Sequence, residues 1–300
     1  MKTTHLKAFL FGKFSWKRIL LSLAEIYLGL LVFAWFFADL LIHHPPTQKY
    51  GALAGEVTFT AKDGTKLCGA WIPQKKASLT ILFSHGNAEH MGNDMPFLRE
   101  LWSAGFNVFA YDYRGYGHSE GKPTEKGLYQ DVDAAYKHLT QNLRIPPENI
   151  LVMGRSLGSG PSTWLAAHEP VGGLVVESGF TSAFRVPIPF PLFPFDQFPN
   201  LKRLDQIRCP LLVIHGMQDE VIPNSHGKKL FSSYQGPKKA WWVETAGHND
   251  IFSTNPDEYL RQLREFAKEI PLHKTATDNR QNAITLYHGR TIENHSVWHR

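Results

Sequence analysis

The sequence GRSLG at residues 154–158, together with the segments that flank it, indicates the fold. The apolar run at residues 150–153 is typical of a buried strand, and a helical pattern follows at residues 157–168. Pro161 lies in its first turn, where a missing N–H costs nothing. A strand that enters a helix through so tight a turn strains Ser156, and the flanking glycines remove the Cβ clashes that would forbid it. We therefore expect the Ser156 hydroxyl to stand free above a sheet.

The body of the chain alternates apolar runs with helical patterns, which predicts a doubly wound, mostly parallel α/β sheet. The continuous apolar runs of buried parallel strands lie at residues 79–83, 107–111, 150–154, 173–177, 210–215 and 240–244. The helical patterns lie at residues 91–103, 124–143, 157–168 and 256–270, with none expected between the last two strands. Upstream, two short runs joined by Asp63-Gly64, at residues 57–60 and 67–71, predict an antiparallel hairpin at one edge of the sheet.

Two polar loops downstream supply what a serine nucleophile needs. A serine hydroxyl is a poor nucleophile at pH 7, so it requires a base to take its proton and an acid to orient that base. Asp219 follows the fifth predicted strand and His248 the sixth, at the carboxyl edge where catalytic groups of open α/β sheets collect. We predict a triad of Ser156, Asp219 and His248. Glu220 is the main alternative for the acid, and Asp250 is a weaker one.

The chemistry would also need hydrogen-bond donors for a developing oxyanion. We assign one backbone N–H to Asn87, directly after the first predicted strand, and the other to Leu157, the residue after the nucleophile. We interpret His85 as structural, because the donors wanted there are backbone groups. Asp112 and Arg114 are interpreted as an ion pair that pins a structural loop.

The apolar run at residues 19–42 is long enough to span a membrane, which needs about 20 residues. Glu25 and Asp39 are the objection to a span. The Leu, Ile, Val and Phe side chains of the run favour insertion by roughly 7 kcal/mol, and the two acids cost at most about 3 kcal/mol each. We predict an uncleaved signal-anchor helix. A cleaved signal peptide and a buried core helix are the alternatives.

Charge is concentrated before this run. The basic residues there are Lys2, Lys7, Lys13, Lys17 and Arg18. Only Lys49 follows within 15 residues, so the positive-inside rule predicts a cytoplasmic N-terminus and a catalytic domain on the extracytoplasmic side, facing the periplasm in a Gram-negative bacterium. The rest of the chain is electrically balanced, which argues against a nucleic-acid-binding body.

The two cysteines, Cys68 and Cys209, match no metal-site spacing, and we predict neither a metal nor a cofactor. Free cysteine is often buried, so two buried free thiols are the preferred interpretation and a single bridge is the alternative.

Four segments together resemble the membrane-anchored, short-lid branch of the α/β-hydrolase superfamily. They are HGNAE at residues 85–89, YDYRGYGHSEG at 111–121, GRSLGSG at 154–160 and FPNLKRL at 198–204. The resemblance implies an α/β-hydrolase fold over residues 55–270 and acyl-ester hydrolysis of a lysophospholipase-like or depalmitoylase-like kind. Eukaryotic depalmitoylase-like members carry an N-terminal cysteine cluster for lipidation where this chain has an apolar helix, so their protein substrates are not carried over.

Residues 179–207 stand where such hydrolases place a lid, and five prolines prevent them from forming one long helix. We predict that four lid side chains bind an acyl group: Phe180, Phe184, Phe190 and Phe193. The alternative is that these rings only pack the core. The predicted organisation is a basic cytoplasmic tip at 1–18, the transmembrane anchor at 19–42, a linker at 43–54, the hydrolase domain at 55–270 and a polar, mostly disordered tail at 271–300.

We therefore expect a serine hydrolase that cleaves carboxylic ester or thioester bonds through an acyl-enzyme intermediate. Its expected partners are a small-molecule or lipid ester and the membrane that holds the N-terminal helix, and not nucleic acid. A peptidase or an acyltransferase using the same triad is the second hypothesis, and a catalytically silent binding module with this fold is the third.

Overall fold

The computed structural model describes residues 16–271. Most of the predicted basic tip, residues 1–15, and nearly all of the predicted tail, residues 272–300, lie outside the described residues.

One sheet of eight strands organises the described chain, in the order β1-β2-β4-β3-β5-β6-β7-β8. The strands are β1 Glu56–Thr60, β2 Lys66–Ile72, β3 Thr80–Ser84, β4 Asn107–Tyr111, β5 Ile150–Arg155, β6 Gly173–Glu177, β7 Leu211–Gly216 and β8 Lys238–Val243. β1 pairs antiparallel with β2, and β2 pairs antiparallel with β4. The remaining five pairs are parallel: β4 with β3, β3 with β5, β5 with β6, β6 with β7, and β7 with β8. The predicted parallel sheet with an N-terminal hairpin is confirmed.

Helices cover both faces of this sheet. They are α1 Trp16–Ile42, α2 Met91–Ser103, α3 Glu125–Lys137, α4 Ser159–His168, α5 Asn200–Arg203, α6 Ser225–Ser233, α7 Ile251–Thr254 and α8 Pro256–Ala267. The predicted helix at 124–143 is α3 followed by a π-turn, His138–Asn142.

Helix α6 was not expected from the sequence. It joins the parallel strands β7 and β8, and the prediction that no helix separates them is wrong. A parallel pair requires a crossover connection, which is usually helical. The helix has nine residues, and its only large apolar side chains are Leu230 and Phe231, too few to mark a helix in the sequence.

The sheet separates two apolar cores. Val152 packs on one side with the α3 and α4 residues, and its neighbours Leu151 and Met153 pack on the other with α2 and α8. This alternation is the period of two that a pleated strand imposes. Because β5, β6, β7 and β8 pair in parallel in that order, their carboxyl ends lie along the same edge of the sheet.

Helix α1 is 27 residues long, with a mean hydropathy of 2.1 over its most apolar part, and it is long and apolar enough to cross a membrane. It begins three residues before the predicted span. Most of its surface is exposed, but Ala34 and Ala38 are buried against the rest of the chain. Near its end, the Asp39 carboxylate accepts the backbone N–H of Glu125, at the start of α3, at 3.1 Å.

The segment predicted as a lid, residues 179–207, contains no long helix. It holds a 3₁₀ turn at Ala183–Arg185, the four-residue helix α5 and a second 3₁₀ turn at Leu204–Gln206. Phe198 is fully buried and packs against Phe180 and Tyr129, so part of the segment belongs to the core.

Candidate active site

Ser156 lies directly after β5, in the left-handed region of backbone space with φ of 52°. This conformation is unfavourable for a residue with a side chain and persists only where packing enforces it. The two glycines are required by close backbone contacts. A Cβ on Gly154 would lie 2.2 Å from the carbonyl oxygen of Gly158, and one on Gly158 would lie 2.1 Å from that of Ser84. The predicted strained turn is present.

The three predicted triad residues come together in one series of hydrogen bonds. His248 Nε2 lies 2.9 Å from Ser156 Oγ, and His248 Nδ1 lies 2.8 Å from Asp219 Oδ2. With Nδ1 protonated toward the carboxylate, Nε2 is free to accept the serine proton. This arrangement can activate a hydroxyl for nucleophilic attack.

The Asp219 carboxylate is held by both of its oxygens. Oδ1 accepts the backbone N–H groups of Val221 at 2.9 Å and Ile222 at 2.7 Å, while Oδ2 faces His248. Burial alone would raise the pKa of Asp219, but hydrogen bonds from the His215 and His248 rings and from the Ile222 amide outweigh it, so the pKa lies well below its usual range. Asp219 is therefore ionised at neutral pH and can stabilise a protonated imidazole.

The two alternative acids lie in different surroundings. Glu220 is exposed, and the Asp250 Oδ1 atom accepts the backbone N–H of Gly247 at 2.7 Å. Asp250 therefore shapes the loop that carries His248, and Asp219 is the carboxylate that contacts the imidazole.

His215 is a residue at this site that the sequence analysis missed. Its side chain is fully buried, and its Nε2 atom lies 2.9 Å from the Ile222 carbonyl and 3.2 Å from Asp219 Oδ2. The ring therefore donates toward the face of Asp219 that also meets His248. The available signal was a histidine at the end of an otherwise apolar strand, four residues before the acid.

The two predicted oxyanion residues, Asn87 and Leu157, line the same cavity as Ser156. The side chain of Asn87 is engaged elsewhere: its Nδ2 donates to the Ile42 carbonyl at 2.6 Å, and its Oδ1 accepts the His44 N–H at 3.0 Å. The group that Asn87 could offer an oxyanion is therefore its backbone N–H, as the sequence analysis proposed for this position.

The cavity at Ser156 has a volume of about 440 Å³, within the range of roughly 300–1,000 Å³ that small-molecule sites occupy. Its lining is almost entirely apolar. Phe180, Phe184 and Phe193 of the predicted lid segment contribute to it, but Phe190 does not, and the Phe190 side chain is 59% exposed. Helix α1 forms another wall of this cavity, which the sequence analysis did not anticipate.

A buried ionic cluster fixes the residue before the nucleophile. The Arg155 guanidinium contacts Asp94 at 3.1 Å and Glu177 at 2.9 Å, and Tyr259 donates its hydroxyl to Glu177. Arg155 also lies over the Phe97 ring at 4.5 Å. Buried charges are stable only when paired in this way, so the cluster fixes the end of β5, directly before Ser156.

His85 is buried, with its ring near Tyr113 and its Nδ1 atom 2.7 Å from the Gly86 carbonyl. Burial lowers its pKa, which suits a neutral structural ring.

The expected Asp112–Arg114 pair is wrong. Arg114 pairs with Asp131 at 2.8 Å and with Asp63 at 2.7 Å, whereas Asp112 accepts the N–H of Met91 at 2.8 Å. The turn after β4 sends one side chain to α3 and the other to the positive start of α2.

Among the residues that the structure describes, one group of side chains could hold a metal ion: Glu56, Cys68 and His118, with ligand atoms within 4.8 Å of one another. Burial raises the pKa of Cys68 to about 12, and cysteine binds metals as the thiolate, so this group is poorly suited to the task. Cys68 and Cys209 are both free and buried, as expected.

Comparison with known proteins extends these observations. Residues 75–191 match the family described as Serine aminopeptidase, S33, a stretch that contains Ser156 but ends before Asp219 and His248. The human alpha/beta hydrolase domain-containing protein 17B is 42% identical over 216 residues, covering 71% of this chain and 74% of the human protein. The Caenorhabditis elegans protein aho-3, also alpha/beta hydrolase domain-containing, is 38% identical over 254 residues, covering 84% of this chain and 76% of its own.

Solved structures with the same fold include the Pyrococcus furiosus esterase Pf2001, with a TM-score of 0.66 at 20% identity, covering 76% of this chain and 97% of the esterase. The Rhodococcus esterase RhEst1 superposes with a TM-score of 0.58 at 18% identity, covering 73% of this chain and 100% of its own. Identities this low establish the fold alone. Sheet order, strained serine turn and relatives agree: this chain belongs to the α/β-hydrolase superfamily, among the relatives of the alpha/beta hydrolase domain-containing 17 proteins.

Proposed function

We propose that the protein is a serine hydrolase that cleaves carboxylic ester or thioester bonds through an acyl-enzyme intermediate. The observation that carries the proposal is the unbroken series of hydrogen bonds from Ser156 through His248 to Asp219, with contacts of 2.9 Å and 2.8 Å. The chain's membership of a family of hydrolases supports this reaction class.

In the proposed reaction, His248 Nε2 takes the Ser156 proton while Oγ forms a bond to the substrate carbonyl carbon. The carbonyl oxygen becomes an oxyanion, which accepts hydrogen bonds from the backbone N–H groups of Asn87 and Leu157. Collapse of this intermediate breaks the bond to the alcohol or thiol, which leaves with the proton from His248. Water, activated by the same imidazole, then releases the acid and restores Ser156. Asp219 stabilises the imidazolium in both halves.

We propose that the acyl group is apolar and lipid-like. The cavity lining at Ser156 is almost wholly apolar, and Phe180, Phe184 and Phe193 contribute rings to it. These features support acyl-chain burial, which stabilises a bound ester by about 0.8 kcal/mol for each CH₂.

We also propose that α1 is an uncleaved, single-pass anchor, followed by a short linker, with the hydrolase domain on the extracytoplasmic side. The length and apolar surface of α1 support the span. The basic residues before it support the orientation. Asp39 is less of an objection than its charge suggests, because it is bound to the N–H of Glu125 in the domain.

Purified full-length protein tests the reaction class against its alternatives. We expect hydrolysis of p-nitrophenyl esters and acyl thioesters, no cleavage of peptide p-nitroanilides, and little acyl transfer when an alcohol is added. Dominant p-nitroanilide cleavage would identify a peptidase, and transfer that outpaces hydrolysis would identify an acyltransferase. Failure to turn over any of these substrates would contradict the proposal and favour a silent binding module.

A further inference from the structure

Helix α1 forms one wall of the cavity that contains Ser156. The contributing residues are Leu30, Phe33, Ala34, Ala38, Leu41 and Ile42. Their spacing of three or four residues places them on one face of the helix. The catalytic cavity is therefore bounded by the same helix that is apolar enough to cross a membrane.

Within the cavity wall, the two alanines are small and buried, whereas the larger side chains are about half exposed. Ala34 and Ala38 are 6% and 2% exposed, and their small side chains leave room beside the lid. On the outward side, Trp35, Phe36 and Leu40 are 66%, 73% and 70% exposed. Large apolar groups exposed in this way are suited to lipid, while the small ones keep a space open toward Ser156.

A loop of unusual composition lies along the helix. Residues 186–195, VPIPFPLFPF, contain no polar side chain, and four of them are proline. Proline carries no N–H, so six of the ten residues have a backbone donor, and those of Val186 and Ile188 are bonded within the chain. Two of its carbonyls are bonded: that of Phe190 accepts from Arg185, and that of Leu192 accepts the Tyr27 hydroxyl at 2.9 Å. The loop thus presents apolar side chains and few backbone donors, which suits the boundary between lipid headgroups and acyl chains.

The length of the helix fixes how deep this loop lies. The segment before the first cavity-lining residue, residues 16–29, is about 21 Å long at 1.5 Å per residue, but the hydrocarbon core is about 30 Å thick. If α1 spans the bilayer, the cavity-lining part of the helix and the loop at 186–195 beside it lie near the outer boundary of that core, where headgroups and water can still pair free backbone groups. Lipid ester groups lie at this boundary between headgroups and acyl chains.

We propose that the acyl chain of a membrane-resident ester or thioester enters the Ser156 cavity sideways from the bilayer, between α1 and the loop at 186–195. The anchor helix is then a wall of the substrate site and contributes to chain-length specificity. The inference rests on the proposed function, since it names the substrate class and route for the same serine. It requires no change in the chemistry.

The first test uses full-length protein in phosphatidylcholine vesicles and two alkyl fluorophosphonates, an ethyl probe and a dodecyl probe. Wild type should react at least tenfold faster with the dodecyl probe. Ala34→Phe, which fills the space beside the predicted lid, should lower the ratio of the dodecyl rate to the ethyl rate at least fivefold, because the added ring occupies the space for the chain. Ala24→Phe, at an exposed position of the same helix outside the cavity, should behave as wild type.

The outcomes separate this inference from the proposed function. If wild type reacts with neither probe, the serine hydrolase assignment fails. If wild type reacts with both but Ala34→Phe keeps the dodecyl preference, only the route through the helix wall is overturned. Should Ala34→Phe lower the thermal midpoint and lose both reactions, Phe33→Ala decides instead: it must change the ratio of the dodecyl rate to the ethyl rate at least fivefold, and an unchanged ratio overturns the inference.

A second test measures the depth of the loop. Phe190→Cys carrying an NBD fluorophore should be quenched by lipids with a spin label in the acyl chain, whereas NBD at Gln235→Cys, an exposed position in the domain, should not. The two native cysteines are buried, which favours selective labelling. Equal quenching at both positions, or none at 190, would show that the loop is not immersed and would overturn sideways entry.

Discussion

The side-chain amide of Asn87 donates a hydrogen bond of 2.6 Å to the main-chain carbonyl of Ile42, the last residue of α1. The same side chain accepts the N–H of His44 and the hydroxyl of Tyr116. One residue thus joins the end of an apolar helix to the loop whose backbone N–H is proposed to stabilise the oxyanion. The position of the helix and the geometry of the active site are mechanically linked.

Replacing this side chain should impair both properties. Asn87→Ala keeps the backbone N–H but leaves the Ile42 carbonyl and the His44 N–H without their partner, so we expect a loss of about 1–3 kcal/mol in unfolding free energy. A displaced donor should also lower kcat by about tenfold. Thermal unfolding and ester hydrolysis measure the two effects. A stable variant with wild-type kcat would show that this link does not position the oxyanion donor.

The depressed pKa of Asp219 predicts a specific dependence of stability on pH. Because the folded pKa lies below the unfolded value of about 3.9, ionised Asp219 stabilises the fold above that value, and the contribution is lost as pH falls through the folded pKa. Wild type should therefore exceed Asp219→Asn in unfolding free energy at pH 7, and the difference should shrink below about pH 4. Denaturant unfolding at a series of pH values measures it. A difference that is constant down to pH 2, or that grows in acid, would contradict the proposed hydrogen bonding.

The lid offers a matched pair of phenylalanines for testing the acyl pocket. Phe193 lines the cavity and Phe190 does not. For soluble p-nitrophenyl esters, kcat/KM should rise by up to about fourfold for each added CH₂ until the cavity is full. Phe193→Ala should flatten or shift this profile, and Phe190→Ala should leave it unchanged. If Phe193→Ala only lowers the thermal midpoint, and acetate esters react as well as octanoate esters, the rings merely pack the core.

The orientation of the anchor is tested with the intact chain in cells. A C-terminal reporter that is active only in the cytoplasm should be silent, and one active only outside it should give signal, because the basic residues precede the helix. The protein should stay with the membrane fraction at its full mass. A cytoplasmic signal, or a soluble shortened product, would contradict the anchored topology.

The sheet and the triad region could be predicted from sequence because each depends on local patterns. The strands at Asn107–Tyr111 and Gly173–Glu177 match their predicted limits, since each is a continuous apolar run bounded by polar or glycine residues. Helix α6 was missed because it is nine residues long and has only two large apolar side chains, Leu230 and Phe231. Local pattern thus predicts an element only when burial marks it.

Contacts between segments that are distant in the chain could not be predicted from local sequence patterns. The partner of Arg114 is Asp131 in another helix, although the sequence neighbour Asp112 was the obvious candidate. Likewise, nothing local to Ala34 or Ala38 indicates that they face the same cavity as Ser156. These relationships depend on how whole elements pack, which the spacing of residues within one element does not encode.

The identity of the nucleophile is tested most directly by mapping a covalent adduct. Full-length protein treated with a fluorophosphonate should gain one phosphonyl group, which peptide mass spectrometry should locate on Ser156. Ser156→Ala should gain none. Ser162→Ala, which removes another buried serine hydroxyl in the following helix, should be modified like wild type. An adduct that persists in Ser156→Ala, or that maps to another residue in wild type, would contradict the assignment of Ser156.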